Sequence, residues 1–161
     1  EMLVTSSVDV IYLVDSYGAM YPEEINRMAK RYLEVLEPAG KRLGIHAHNN
    51  QQCAFANTIE ALSMGASYLD GTLSGMGRGA GNCALEALIG FLKNPRYQLD
   101  PLLRFIQKDI LALKKAGCVW GYDIPYLLTG LLDQHPRTAI AATKAHDTNY
   151  SAFYQMLLDK D

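Results

Sequence analysis

The sequence has few cysteines and no pair of them spaced to form a redox or zinc motif. Three cysteines, Cys53, Cys83 and Cys118, are scattered over 161 residues. Disulfide frameworks of small secreted domains use an even number of cysteines, and zinc sites use closely spaced pairs. We therefore expect free, reduced thiols and a cytoplasmic protein.

The chain also lacks an excess of positive charge and any long apolar run. Lys plus Arg is 15 and Asp plus Glu is 17, so the formal net charge is -2. That balance excludes the basic surface that holds a nucleic acid or an anionic membrane. No apolar stretch approaches the roughly 20 residues of a membrane-spanning helix, and the N-terminal residues do not follow the signal-peptide pattern. We expect neither a nucleic acid nor a membrane as partner.

Apolar residues, by contrast, are abundant enough to build a core. They make up 49% of the chain, against 20% charged residues, which is typical of a folded domain and excludes disorder. A metabolic enzyme is therefore the default class. Because a strand pattern begins almost directly after Glu1 and Met2, we expect the chain to be part of a longer polypeptide.

Hydrophobic patterning predicts three strand–helix units followed by helices alone. The predicted strands cover 8–15, 43–48 and 68–73, and each is followed by apolar residues at helical spacing. Short connections between such units imply parallel strands joined by right-handed crossovers. From Asp100, predicted as an N-cap before Pro101, the pattern is helical, with further helices expected near 124–134, 136–145 and 149–159. The predicted class is α/β with an all-α C-terminal region.

Two histidines mark the end of the second predicted strand. His46 and His48 are two residues apart, so both side chains point to the same face of the sheet. Neutral imidazoles on one face, at the carboxyl end of a parallel strand, suit a divalent metal. By itself the pattern is equally compatible with two hydrogen-bonded histidines at a strand end, because two ligands do not make a site.

A glycine-rich loop, 75–82, follows the third predicted strand. It matches the dinucleotide-binding fingerprint weakly, and no strand with an acidic end follows about 20 residues later, so we do not expect a nicotinamide cofactor. The glycines instead allow backbone to approach a ligand closely. At the end of the first strand, Asp15 is expected to hydrogen-bond or cap, and the absence of lysine from the three strands argues against a Schiff base.

Three motifs in this order resemble one family. They are Asp15-Ser16-x-Gly18, His46-Ala47-His48-Asn49 and the loop Gly75-Met76-Gly77-Arg78-Gly79-Ala80-Gly81-Asn82. Together they are similar to the metal-dependent aldolase and lyase superfamily of the hydroxymethylglutaryl-CoA lyase type, and within it most to the 4-hydroxy-2-oxovalerate aldolases. The loop, like theirs, lacks the cysteine that the hydroxymethylglutaryl-CoA lyases carry. Order, spacing and strand context agree over residues 4–92.

The resemblance implies a (β/α)8 barrel of which this chain supplies strands six, seven and eight. Residues 1–98 would be the C-terminal part of the barrel and 99–161 a helical C-terminal region. A whole barrel needs roughly 250 residues. The third metal ligand, an oxyanion-stabilising arginine and the catalytic histidine base of the family would lie in the part before this chain, so the chain alone is expected to be inactive.

The same resemblance implies the chemistry and its residues. His46 and His48 would bind Mn²⁺ or Mg²⁺, with Asn82 near the metal and Ser16 near the substrate. Tyr122 is the candidate for a catalytic tyrosine of the C-terminal region, although a packed or interfacial role is the more usual one for such a tyrosine. The expected reaction is retro-aldol cleavage of a 4-hydroxy-2-oxo acid to pyruvate and an aldehyde, by a homo-oligomer with an aldehyde dehydrogenase as a further partner.

Two alternatives remain open at this point. A Claisen-type acyl-CoA synthase or lyase would share the three motifs. A non-catalytic fragment, whose helical tail serves assembly, would keep the fold without the activity.

Overall fold

The computed structural model describes residues 3–159, and its first half is a small parallel sheet. The strands in order are β1 (Val10–Asp15), β2 (Arg42–Ala47) and β3 (Tyr68–Leu69). β2 lies in the middle, paired in parallel with both neighbours. Each strand is followed by a helix, and these are α1 (Pro22–Leu36), α2 (Ala54–Met64) and α3 (Leu85–Leu92). The predicted α/β order is confirmed.

Local sequence signals explain where these helices begin and end. Pro22 occupies the first turn of α1, where its missing N–H costs nothing, and the Glu24 carboxylate accepts a hydrogen bond from the Tyr21 amide at 3.3 Å. Gly65 ends α2 in the left-handed conformation, with φ of 116°. Proline at the start and glycine at the end are the signals that predicted this segmentation.

The two faces of the sheet differ. Alternate residues of β1 and β2 are buried against α1 and α2, and they form a core with residues of both helices: Ile11, Leu13, Ile25, Ala29, Leu36, Leu43, Ile45 and Ala61. The opposite face carries Tyr12, Val14 and His46, and Val14 is 43% exposed. One face therefore makes the core, and the other is available for chemistry.

The second half of the described chain is helical, as predicted. Its elements are α4 (Leu99–Phe105), a π-helical turn (Ile106–Ile110), α5 (Leu111–Lys115), α6 (Ile124–Leu131), α7 (Arg137–Lys144) and α8 (Tyr150–Leu158). The last three helices share a core of Tyr126, Ala139, Ala142, Phe153 and Leu157, and Ala80 of the glycine loop completes it. The tail therefore packs directly against the loop after β3. None of the helices in the described part is long and apolar enough to cross a bilayer.

Two predicted boundaries are wrong. The third strand has two residues rather than six, because the chain leaves the sheet at Gly71 to approach α3: a Cβ there would lie 3.1 Å from the Leu85 Cα. In the tail, Gln98 rather than Asp100 is the N-cap of α4. Asp100 lies in the first turn, where its carboxylate pairs with Arg104 one turn later.

Two helical glycines provide a test of whether α6 packs against the loop after β2. Gly90 in α3 has open space at the position that a Cβ would occupy, so Gly90→Ala should stabilise the chain by up to about 1 kcal/mol through helix propensity. In α6, a Cβ on Gly130 would lie 2.9 Å from Gln51 Cγ and 3.0 Å from Asn50 Cβ. Gly130→Ala should therefore destabilise, although it gains the same propensity. Urea unfolding of both variants measures this difference. Equal stabilisation by both would show that α6 does not pack on Asn50 and Gln51, in the loop after β2.

Candidate functional site

The carboxyl end of β1 is organised by the side chain of Asp15. Its carboxylate is buried and accepts hydrogen bonds from the amides of Ala19 (3.0 Å) and Met20 (3.3 Å). Burial raises the pKa of Asp15, and these amide hydrogen bonds oppose the rise. Asp15 thus orders the loop 16–20, in the capping role expected from the sequence.

The main-chain carbonyl of the same residue fixes His48. It accepts from the His48 amide at 3.3 Å and from His48 Nδ1 at 2.8 Å. A carbonyl oxygen can only accept, so Nδ1 must carry the proton. In the neutral imidazole, Nε2 of His48 then keeps its lone pair.

A side chain fixes the ring of His46 with the proton on the same nitrogen, Nδ1. Its Nδ1 lies 3.0 Å from Oδ2 of Asp70, the residue after β3. A carboxylate also accepts, so Nδ1 of His46 carries a proton, and in the neutral imidazole Nε2 is then free as a ligand. The two imidazole rings lie edge to face with centroids 5.0 Å apart. The prediction that both side chains share one face of the sheet is confirmed.

The glycine loop brings Asn82 to this pair. Asn82 forms an antiparallel bridge with His48, and its Nδ2 donates to the Met76 carbonyl at 3.0 Å. The fold of the loop demands glycine: a Cβ on Gly77 would lie 2.6 Å from Asn82 Nδ2, and one on Gly81 would lie 2.1 Å from the Gly75 oxygen. The loop's glycines therefore place Asn82 and do not merely form a turn.

The Asn82 side chain leaves one buried acceptor unused. Its Oδ1 is buried and has no hydrogen-bond partner among the described residues. Buried acceptors without a partner are rare and costly, so this oxygen is a candidate ligand or substrate contact. Two imidazole Nε2 atoms and an amide oxygen fit a divalent cation as part of its ligand set. Within residues 3–159, no group of three or more His, Cys, Asp and Glu side chains is clustered to hold a metal.

Ser16 lies beside the same residues, at the wall of a small cavity. The cavity has a volume of about 10 Å³, room for one water molecule, and is lined by Ser16, His48, Asn50, Arg78, Pro136 and Ile140. Pro136 and Ile140 belong to the helical tail, so the tail forms part of the wall. The structure therefore brings His46, His48, Asn82 and Ser16 into one neighbourhood.

The tail tyrosine predicted from the sequence, Tyr122, does not contact these residues in the described part of the chain. Tyr122 is 56% exposed, and in the described part of the chain no hydrogen bond or ring contact joins it to the histidines or to Ser16. The tyrosine that meets the glycine loop is Tyr126, whose Cε1 would lie 2.9 Å from a Cβ on Gly79. A catalytic role for Tyr122 stays a prediction.

Sequence reasoning missed Asp70 and the polar residues that attach the tail. Asn50 Nδ2 donates to the Tyr126 carbonyl at 3.4 Å, and Gln51 Nε2 donates to the Gly130 carbonyl at 3.3 Å. For Asp70 a signal was available, because an acidic residue directly after a parallel strand lies where such sheets carry function. For Asn50 and Gln51 no local signal exists, since their partners lie some 80 residues away on the tail.

Comparisons with known proteins show the family of the chain. A family model for HMGL-like proteins matches residues 1–108, which contain all three motifs. An oxaloacetate decarboxylase of Mycobacterium tuberculosis is 48% identical over 109 residues, covering 65% of this chain and 31% of that protein. A 4-hydroxy-2-oxovalerate aldolase of Pelotomaculum thermopropionicum is 42% identical over 136 residues, covering 76% of this chain and 38% of that protein.

The likeness extends to three dimensions and into the tail. The N-terminal domain of a candidate aldolase from Bacteroides vulgatus superposes with a TM-score of 0.74 at 28% identity, covering 90% of this chain and 48% of that one. The chain spans about a third of the length of the two curated relatives. The resemblance drawn from the three motifs is confirmed, and the chain belongs to the HMGL-like family, whose relatives named here are lyases.

Proposed function

We propose that the described strands are strands six to eight of a (β/α)8 barrel, with 1–98 the end of the barrel and 99–161 a helical addition. The support is a parallel sheet with helices on one face and an uncovered second face that holds the histidines. Both outer strands, β1 and β3, pair on one side alone within the described chain. A closed barrel removes such open edges, and the relatives are long enough to supply the remaining strands.

We further propose that the protein is a divalent-metal-dependent carbon–carbon lyase acting on a 2-oxo acid. The observation that carries this proposal is the pair of histidines, each held through Nδ1 so that Nε2 is free to bind a metal, beside the unpartnered Oδ1 of Asn82. His46, His48 and Asn82 would hold Mn²⁺ or Mg²⁺. When bound, such a cation supplies Lewis-acid stabilisation of negative charge on the carboxylate and keto oxygens of the substrate.

The chain's other residues would bind and orient the substrate. The Ser16 hydroxyl, at the wall of the cavity beside His48, can donate a hydrogen bond to a substrate oxygen. Pro136 and Ile140 would add apolar surface to the wall on that side. The base that takes the C4 hydroxyl proton would come from one of the other strands of the barrel, and without those strands the site would be inactive. A homo-oligomeric state and an aldehyde dehydrogenase partner stay predictions from the resemblance.

Decarboxylation of oxaloacetate is a second candidate, because a relative of that name is 48% identical over 109 residues. The two reactions share the step in which the carbon–carbon bond is cleaved. In both, the C3–C4 bond of a 2-oxo acid breaks and its electrons remain on C3, giving the enolate of pyruvate. They differ in the leaving group: an aldehyde requires a base at the C4 hydroxyl, whereas carbon dioxide requires none. We favour retro-aldol cleavage, because the aldolase match covers more of this chain than the decarboxylase match, 76% against 65%.

Pyruvate release tests the reaction. With Mn²⁺, the full-length protein that carries this chain should release pyruvate from 4-hydroxy-2-oxovalerate faster than from oxaloacetate, and removal of the metal by a chelator should abolish both activities. A blank with Mn²⁺ alone is needed, since free divalent cations also promote loss of carbon dioxide from oxaloacetate. Faster release from oxaloacetate would select the decarboxylase. No release from either acid by folded, metal-loaded protein would contradict the proposal and point to an acyl-CoA substrate.

Metal binding tests the site without reference to activity. His48→Ala should weaken Mn²⁺ binding by more than about 100-fold, beyond the ~10–100-fold that loss of an outer-shell partner costs. Titration calorimetry measures the change in Kd. His146→Asn is the matched control, because His146 is an exposed tail histidine with φ of 53° that asparagine tolerates. Equal Kd values for wild type, His48→Ala and His146→Asn would remove His48 from the site.

A further inference from the structure

Three residues from the three strand segments interact across the open face of the sheet. Asp70, directly after β3, accepts from Nδ1 of His46 on β2 at 3.0 Å. The Tyr12 hydroxyl, on β1, interacts with the same carboxylate, and burial and this interaction both raise the pKa of Tyr12. A carboxylate is an acceptor, so the His46 Nδ1–H donates to Asp70 and the Tyr12 hydroxyl is placed to do the same.

Tyr12 reaches Asp70 by crossing β2 at a glycine. Tyr12 and Gly44 are register partners, and the ring atoms Cε1, Cδ1 and Cζ of Tyr12 lie 2.6–2.7 Å from where a Gly44 Cβ would be. Any side chain at position 44 would therefore displace the ring. The tyrosine is held over the glycine, with its hydroxyl toward the strand on the far side of β2.

The electrostatics of Tyr12 agree with this arrangement. Burial raises the pKa of Tyr12, and the Asp70 carboxylate raises it further through its charge and the hydrogen bond. The hydroxyl thus keeps its proton and is available as a donor to the carboxylate.

We infer that Asp70 is a positioning residue for His46 and that Tyr12 positions Asp70. The carboxylate fixes the orientation of the His46 ring and its Nδ1–H tautomer, and the tyrosine hydroxyl fixes the carboxylate. The inference deepens the proposed function and rests on it in one respect. The orientation of the His46 ring would present its Nε2 lone pair to a divalent cation.

The two histidines are therefore held by different means. His48 depends on the main-chain carbonyl of Asp15, which no substitution deletes. His46 depends on a side chain, which a substitution can delete. Removal of Asp70 should affect the tautomer of His46 and leave that of His48 unchanged, so His48 is an internal control within the same molecule.

Imidazole ¹⁵N shifts of the metal-free chain report the tautomers directly, at about pH 8.5, where ordinary histidines are neutral. In the wild type both histidines should carry the proton on Nδ1. Asp70→Ala should move His46 to a mixture with the Nε2–H form, without a change at His48. Tyr12→Phe keeps the ring over Gly44 and deletes one oxygen, so it should change His46 in the same direction but less. Retention of the wild-type tautomer by His46 in both variants would overturn the inference.

Mn²⁺ affinity gives the second readout. Asp70→Ala should weaken binding by ~10–100-fold and Tyr12→Phe by less, as expected for loss of an outer-shell partner. Asp9→Ala is the control for loss of one negative charge, because Asp9 is exposed just before β1. A loss no greater in Asp70→Ala than in Asp9→Ala would also overturn the inference.

The two readouts separate the two proposals. If wild-type protein binds no Mn²⁺ while the tautomer of His46 still responds to Asp70, positioning is supported and the proposed metal site fails. If wild type binds Mn²⁺ and the Asp70 variant behaves as wild type in both readouts, positioning fails and the metal site stands. Should Asp70→Ala lose its circular dichroism spectrum, Tyr12→Phe carries the test, since it changes no packing at Gly44.

Discussion

The site depends on one constraint, the parallel pairing of β1 and β2 with Asp15 opposite Ala47. That register places the Asp15 carbonyl within hydrogen-bond distance of both the amide and the ring of His48. The Asp15 side chain, on the buried face, stabilises the following loop by accepting hydrogen bonds from the amides of Ala19 and Met20. One residue thus fixes a candidate ligand with its main chain and the wall of the cavity with its side chain. A one-residue slip between these strands would turn the Asp15 side chain to the other face of the sheet and move its carbonyl away from His48.

The tail stabilises the site by satisfying its main-chain groups. Trp120 Nε1 donates to the Ser74 carbonyl at 2.9 Å, and the Gly121 amide donates to the Gly79 carbonyl at 3.0 Å. Both acceptors lie in the segment after β3 that leads to Asn82. Loops are mobile where their backbone groups bond to water alone. Here the tail supplies partners, so the glycine loop is held in place although its glycines by themselves favour freedom.

Elements that depend on local pattern could be predicted from the sequence, and features that depend on register could not. Strands β1 and β2 and the helices follow from apolar periodicity, and the shared face of His46 and His48 follows from the alternation of a strand. The contact between His46 and Asp70 instead requires the pairing of Ile45 with Leu69, which no single segment encodes. The tail tyrosines show the same limit. Tyr126 lies on the buried side of α6, whereas Tyr122 lies before that helix begins at Ile124 and is exposed.

The open face of the sheet has properties that suit closure into a barrel. Val14 and Tyr68 are partly exposed there, and covering them would contribute about 25 cal/mol for each Å² of apolar area removed from water. Closure is favourable only if the polar groups on the same face do not lose water without compensation. His46 already donates to Asp70, so it enters a covered interior with that hydrogen bond made, and the Tyr12 hydroxyl interacts with the same carboxylate. Three acceptor atoms of the site make no hydrogen bond within the described residues: Nε2 of His46, Nε2 of His48 and Oδ1 of Asn82. Such a group of acceptors is complementary to a cation, and this is the physical reason for proposing metal chemistry at this edge of the sheet.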